Sequence, residues 1–345
     1  MGNKFEIPFD NIIGANPQQK EKVKEDWQSD SVEFAERDEI KYAELEQVIT
    51  PEKRNEILKI EKYVNEIAGF YGATEKLEPK IVMLEAGGVF KFTEGEFREG
   101  FCYEYSRRIV VDSKESRVGF ATTLAHELFH LAGFNSLRYS KETGDTKLYR
   151  TGIALISKDG KDIYFHDIAE ALVAEASRIF FERYLRNDPQ YVEEIKKTDF
   201  VKGWLQKYYN WCNVPIEKQN EILDDIYLFP DIDHLIDKLN GDDVEDFKFG
   251  FLHGYIEGML EDDAVILRER SDERKKFYSL VDEILKNSEG RYSDRQEIVD
   301  VFMRAQFSGR LLPLARILEK TIDKGSFRRA ANDFAKHIKK EENNQ

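Results

Sequence analysis

Between Thr122 and Phe134 the chain reads T-T-L-A-H-E-L-F-H-L-A-G-F, and this stretch limits the fold more than any other. His126 and His130 stand four residues apart, so on an α-helix both imidazoles leave the same face and can close on one metal ion. Glu127 follows His126 by about 100° of helical rotation, beside the pair, where it can act as general base on a water activated by the metal. Leu124, Ala125, Leu128, Phe129, Leu131 and Ala132 surround these residues, so the helix is expected to be largely buried. Buried imidazoles need polar partners, and a metal supplies them.

A catalytic zinc takes three protein ligands and keeps one position open, so a second element must bring one more ligand to this helix. The helical stretch that begins at His166-Asp167 and runs to about Leu185 offers Glu170, Glu175 and His166. Glu170 and Glu175 lie about 140° apart on the helical wheel and cannot both face one ion. Glu175 shares an arc with Asp167, Arg178 and Glu182, the pattern of a solvated face. Glu170 shares its face with Val173, Ala174, Ser177 and Phe181 and points inward, where a carboxylate needs a cation. Glu170 is therefore the first choice as third ligand, Glu175 the second and His166 the third. Arg150 is the alternative partner for a buried Glu170, or a group that holds the carboxylate from behind.

Ahead of the metal helix, Thr50-Pro51-Glu52 opens a helix carrying Ile57, Ile60, Val64 and Ile67 and ending before Gly72. Lys80–Leu84 reads as a buried strand, and Val89–Phe92 as a segment that pairs nearby. Phe101–Tyr105 and Arg108–Asp112 read as a hairpin around Ser106-Arg107. The first of these strands alternates aromatic and polar residues as an edge strand does, so Phe101, Cys102, Tyr103, Glu104 and Tyr105 are the expected seat of an extended peptide. Asn135–Lys147 reads as a polar loop, Tyr149–Ser157 and Ile163–Phe165 as a hairpin. Beyond Asn187 the pattern is helical, over Val201–Trp211, Phe247–Leu267, Phe277–Leu285, Ile298–Phe307 and Leu311–Ile322.

The stretch from about Ile57 to Leu185 resembles the gluzincin group of zinc metallopeptidases, to which the thermolysin-like enzymes belong. The resemblance rests on the hairpin Gly100–Asp112, on A-H-E-L-F-H, and on Ile168-Ala169-Glu170-Ala171-Leu172 at the place of the liganding glutamate. It implies one zinc ion held by His126, His130 and Glu170, with Glu127 as general base. Ala174 stands where such families often carry an acidic residue. The oxyanion donor is open among Tyr149, Tyr164, His166, His253 and Tyr255.

These readings combine into an α+β fold. An acidic N-terminal arm (1–48) precedes a zincin-like core (49–187) with a small twisted sheet, an edge strand, the H-E-x-x-H helix and the glutamate helix. An all-α C-terminal domain (188–345) follows. The 345 residues suffice for a sizeable core, and no apolar run reaches the length of a membrane span. Only Cys102 and Cys212 are present and no secretion signal is visible, which points to a reducing cytoplasm. A formal net charge of −15 disfavours nucleic acid as a partner. The charge is uneven: Arg304–Lys340 holds ten basic and three acidic residues. That segment is expected to lie on acidic surface of the same chain, or else to dock an acidic partner. The function expected is zinc-dependent hydrolysis of peptide bonds. The alternatives are a regulatory module that binds a peptide or protein on the same scaffold with little or no turnover, and hydrolysis of a non-peptide amide.

Overall fold

Thr50 accepts a hydrogen bond from the Lys53 amide at 3.2 Å and starts a helix whose Ile57, Ile60, Val64 and Ile67 are buried, as their spacing requires. The structure, a computed structural model, describes residues 9–27, 29, 43–74, 79–93, 99–114, 116–224, 226, 232–241, 248–254 and 271–337. In chain order these form β1 (Asn11–Ile13), α1 (17–27), α2 (Pro51–Phe70), β2 (Lys80–Leu84), α3 (Gly88–Phe92), β3 (Gly100–Tyr103), β4 (Arg108–Asp112) and α4 (Arg117–Ala132). Four strands follow: β5 (Asn135–Tyr139), β6 (Thr146–Thr151), β7 (Ala154–Ile156) and β8 (Asp162–Tyr164). The rest is helical: α5 (His166–Phe180) with a π-helical turn at Phe181–Leu185, α6 (Val192–Trp211), α7 (Ile216–Asp224), α8 (Ile232–Gly241), α9 (248–254), α10 (Ser271–Asn287), α11 (Arg295–Ser308), α12 (Leu311–Thr321) and α13 (Ser326–Asp333), before the short β9 (Lys336–His337). Among the described residues no helix is long and apolar enough to cross a membrane.

Two small sheets result. In one, the order is β2-β4-β3, with β2 parallel to β4 and β3 antiparallel to it. The other runs β1-β5-β6-β7-β8-β9, antiparallel throughout except for the parallel pair β1 and β5. The expected hairpin is present, but β3 ends at Tyr103, and Glu104 to Arg107 form the turn, with Arg107 at φ 52°.

Two elements differ from the sequence reading, each because a distant group satisfies the backbone. Val89–Phe92 is helical because the Asp112 carboxylate, at the end of β4, accepts the Gly87 and Val89 amides at 2.9 and 2.8 Å and caps α3. The expected polar loop at Asn135–Lys147 is instead β5, a turn and the start of β6. Its polar residues are held by Asp10, which accepts the Asn135 amide at 2.7 Å, and by the Arg138 guanidinium stacked 3.8 Å from the Tyr149 ring. The N-terminal arm docks where it is described. Ile12 and Val23 pack on Leu137, and Trp27 donates to the Tyr105 carbonyl at 2.7 Å. Phe5 and Phe34 of the arm lie outside the described residues, as does most of the helix expected over 247–267.

The chain forms two compact units. One contains the described residues of 1–113, 123–178 and 272–345, the other those of 114–122 and 179–271. This division differs from a boundary at 188, since α10 to α13 belong with the sheets. The second unit has its own core of Val201, Leu205, Tyr208, Leu223, Leu235, Leu239, Phe249 and Leu252.

Candidate metal centre

The helix α4, which carries His126 and His130, is fixed by its apolar flanks. Leu124, Ala125, Phe129 and Leu131 are almost wholly buried, and the Phe129 ring meets Phe307 of α11 edge-on at 6.1 Å. Its last turn is closed by Asn135, whose side-chain amide donates to the Leu131 and Gly133 carbonyls at 3.4 and 3.0 Å. His130 therefore sits on a turn that cannot fray freely.

His126 and His130 face the same point: their Nε2 atoms are 3.1 Å apart. Glu170, on the first turns of α5, brings its Oε2 to 3.8 Å from His126 Nε2 and 3.7 Å from His130 Nε2. The three side chains are only 11–14% exposed. Tetrahedral zinc with bonds of about 2.0–2.2 Å sets its donors about 3.3–3.6 Å apart; the separations here lie a few tenths of an ångström to either side of that range, so this His-His-Glu set could hold such an ion. Glu170 Oε2 itself is buried and has neither histidine within hydrogen-bonding distance, the environment that a cation between them would satisfy.

Glu127, also buried, lies next to the edge strand. A Cβ placed on Gly100 would stand 3.4 Å from Glu127 Cγ and 2.9 Å from Thr123 Cγ2, so β3 approaches α4 at a residue without a side chain. Strand alternation puts Cys102 on the same face as Gly100. Phe101 and Tyr103 turn the other way, into an apolar cluster with Val82, Leu84, Val89 and Phe92. Burial pushes the Cys102 thiol well up, and the negative charges of Glu104, Glu127 and Glu170 push it further. Glu104 is raised too, first by burial and then by Glu170, while the Cys102 thiol bonded to its carboxylate pulls it back. Cys102 and Glu104 thus feel the charge of Glu170, whereas the sequence reading used them for their backbone. The alternation G-F-C-Y was the available signal.

Of the other candidates, Tyr105 is taken by the N-terminal arm: its carbonyl accepts from Trp27 and its ring packs on Phe9. Glu175 is no solvated residue. It is 1% exposed, holds Arg178 at 2.5 Å and Arg274 at 3.6 Å, and accepts from Tyr278 at 3.0 Å, because α10 covers that side of α5. The guanidinium of Arg150 also departs from expectation. It donates to the carbonyls of Gly152, Gly309 and Ala305 at 2.6, 2.8 and 3.2 Å, and no ion pair with Glu170 forms. Burial lowers its pKa to about 10.

Among the residues left open as oxyanion donor, His166 is at the centre, 3.8 Å from Glu170 Oε1. Tyr149 is stacked under Arg138, Tyr164 lies in β8, and His253 packs against Tyr208 in the second unit. Tyr255 lies outside the described residues. Both cysteines are free, and Cys212 is exposed at the end of α6. No family model, curated protein or solved structure matches the chain.

Proposed function

We propose that the chain is a zinc-dependent hydrolase of peptide bonds, of the gluzincin type that its motifs resemble. The observation that carries this reading is the convergence of His126 Nε2, His130 Nε2 and Glu170 Oε2 beside a buried Glu127 that belongs to none of the three contacts. A zinc ion held by those three side chains would supply Lewis acidity and lower the pKa of its water to about 7. Glu127 takes the proton of the attacking water and returns it to the departing amine. His126 and His130 are fixed on two successive turns of α4, and their buried flanks keep the ligand geometry from relaxing.

An extended peptide lies along β3, the outer strand of its sheet, and bonds to it through the backbone of Gly100 to Tyr103. Phe101 and Tyr103 stay in their apolar cluster and act through main-chain groups alone. Cys102 and Glu104 present side chains to the residue next to the scissile bond.

The test is Glu127→Gln, assayed with the wild type on a peptide library and for zinc content. Zinc is expected to remain near one per chain, while turnover falls by about 10² to 10⁴-fold, the usual range for a general base. Wild-type cleavage that survives both a chelator and the substitution would overturn the reading.

A further inference from the structure

We infer that His166 is the positioning residue of Glu170, holding one carboxylate oxygen so that the other faces the metal ligands of α4; this rests on the zinc centre proposed above. His166 opens α5 and stands four residues before Glu170, one helical turn away on the same side. Its Nε2 is 3.8 Å from Glu170 Oε1, while Glu170 Oε2 is the atom turned to His126 and His130. The two oxygens of one carboxylate thus have separate neighbours. The 3.8 Å between Nε2 and Oε1 is longer than a hydrogen bond; a small χ rotation of either side chain closes it and lets an Nε2–H donate to Oε1 while Oε2 faces the ligands of α4.

The other ring nitrogen faces a carboxylate: His166 Nδ1 is buried, makes no hydrogen bond among the described residues, and lies 3.5 Å from Asp167 Oδ1. Asp167 is anchored from α10, where Lys276 Nζ meets its Oδ2 at 3.0 Å. A line of contacts therefore runs Lys276, Asp167, His166, Glu170 and ends at the metal position. A liganding carboxylate left to rotate samples orientations in which Oε2 misses the ion, and outer partners that prevent this are typically worth 10–100-fold in metal affinity. The neighbouring helix α10 belongs to the same compact unit, so the whole line is built within one body.

Two substitutions separate the two ring nitrogens. In His166→Gln the side-chain amide nitrogen lies close to the former Nε2 and still reaches Glu170; in His166→Asn it lies close to the former Nδ1 and stops short. Zinc affinity is measured by competition with a chromophoric chelator, and the visible spectrum is taken with cobalt(II) in place of zinc. Wild type, His126→Ala and both His166 variants are compared, with melting of the zinc-free proteins as the check on folding. The expected result is that His166→Asn loses about 10–100-fold in zinc affinity and shifts the cobalt spectrum, while His166→Gln stays within about threefold of wild type. The zinc-free melting temperatures of the two variants are expected to agree. Equal zinc affinity in His166→Asn, His166→Gln and wild type, with His126→Ala unable to bind, would overturn this role and leave the metal centre standing. Wild type and His126→Ala binding zinc equally would remove the metal centre and this role with it.

Discussion

Glu170 and Glu175 sit five residues apart on one helix, and both are buried, yet their environments divide the work between them. Glu170 faces the imidazoles of His126, His130 and His166, which a metal can bridge; Glu175 meets Arg178, Arg274 and the Tyr278 hydroxyl, which leave it no coordination to spare. Glu170→Gln is expected to abolish stoichiometric zinc while the zinc-free protein melts as before. Glu175→Ala is expected to keep its zinc and to lose about 2–4 kcal/mol of stability, since it strands a partly buried guanidinium pair and a tyrosine hydroxyl. Metal analysis with thermal melts checks both, and zinc lost from Glu175→Ala with unchanged melting would exchange the two assignments. The wheel on its own separated the two carboxylates by direction. It could not show that Glu175 is covered, because the covering residues Arg274 and Tyr278 come about a hundred positions later and carry no local signal in α5. Arg150 failed for a related reason. A lone arginine before a strand looks like a carboxylate partner, and only the approach of α11 reveals that three carbonyls take its donors.

At the level of elements, regular periodicity was legible and packing by small residues was not. Helices α2, α4 and α5 followed from capping residues and apolar spacing, and the β3–β4 hairpin from two short apolar runs around a turn. The helix α3 escaped notice because Asp112 caps it from outside, and the strand β5 because its polar residues hide a backbone that β1 and β6 pair on either side. Gly100 was read merely as the start of a hairpin. Its real role is contact: β3 can lie against the Glu127 side of α4 only because no Cβ intervenes. Gly100→Ala inserts one carbon 2.9 Å from Thr123 Cγ2, 3.3 Å from Val111 Cγ1 and 3.4 Å from Glu127 Cγ. The strand must then back away from α4, or Glu127 must turn. Misplacement by about an ångström costs up to about 10²-fold in rate, so turnover is expected to drop by about 10–100-fold while zinc stays bound. Peptide turnover and zinc content measured together decide this, and undiminished turnover would place β3 outside the reaction.

For the whole molecule, the decisive fact is where the chain returns. A core drawn from the motifs alone ends near residue 187, but that core lacks one wall. Gln306 of α11 accepts the Ile153 amide at 3.0 Å with its side chain and the Phe134 amide at 2.9 Å with its backbone. Gly152, at φ 58°, lies so close to Gln306 that a Cβ would overlap its amide at 2.1 Å. Arg150 spans to Ala305 and Gly309, Phe129 meets Phe307 edge-on, and Tyr278 and Arg274 close over Glu175. Each of these contacts touches α4, α5 or the segments between them, and α4 and α5 carry the proposed ligands His126, His130 and Glu170. A chain cut after residue 187 would leave the Phe134 and Ile153 amides without these acceptors, Arg150 with only the Gly152 carbonyl and Glu175 with only Arg178, each omission costing about 1–3 kcal/mol, against a total stability of about 5–15 kcal/mol for a domain. The fragment 1–187 is therefore expected to lack a cooperative melt and to bind no stoichiometric zinc. Adding the separately produced segment 272–345 is expected to restore some of both, because those residues supply the missing wall without the second unit's core. Circular dichroism melts and zinc analysis of the fragment, alone and with that segment, are the measurements. A fragment 1–187 that melts cooperatively and holds one zinc would show that the motifs close their own core, with the C-terminal helices as an accessory layer.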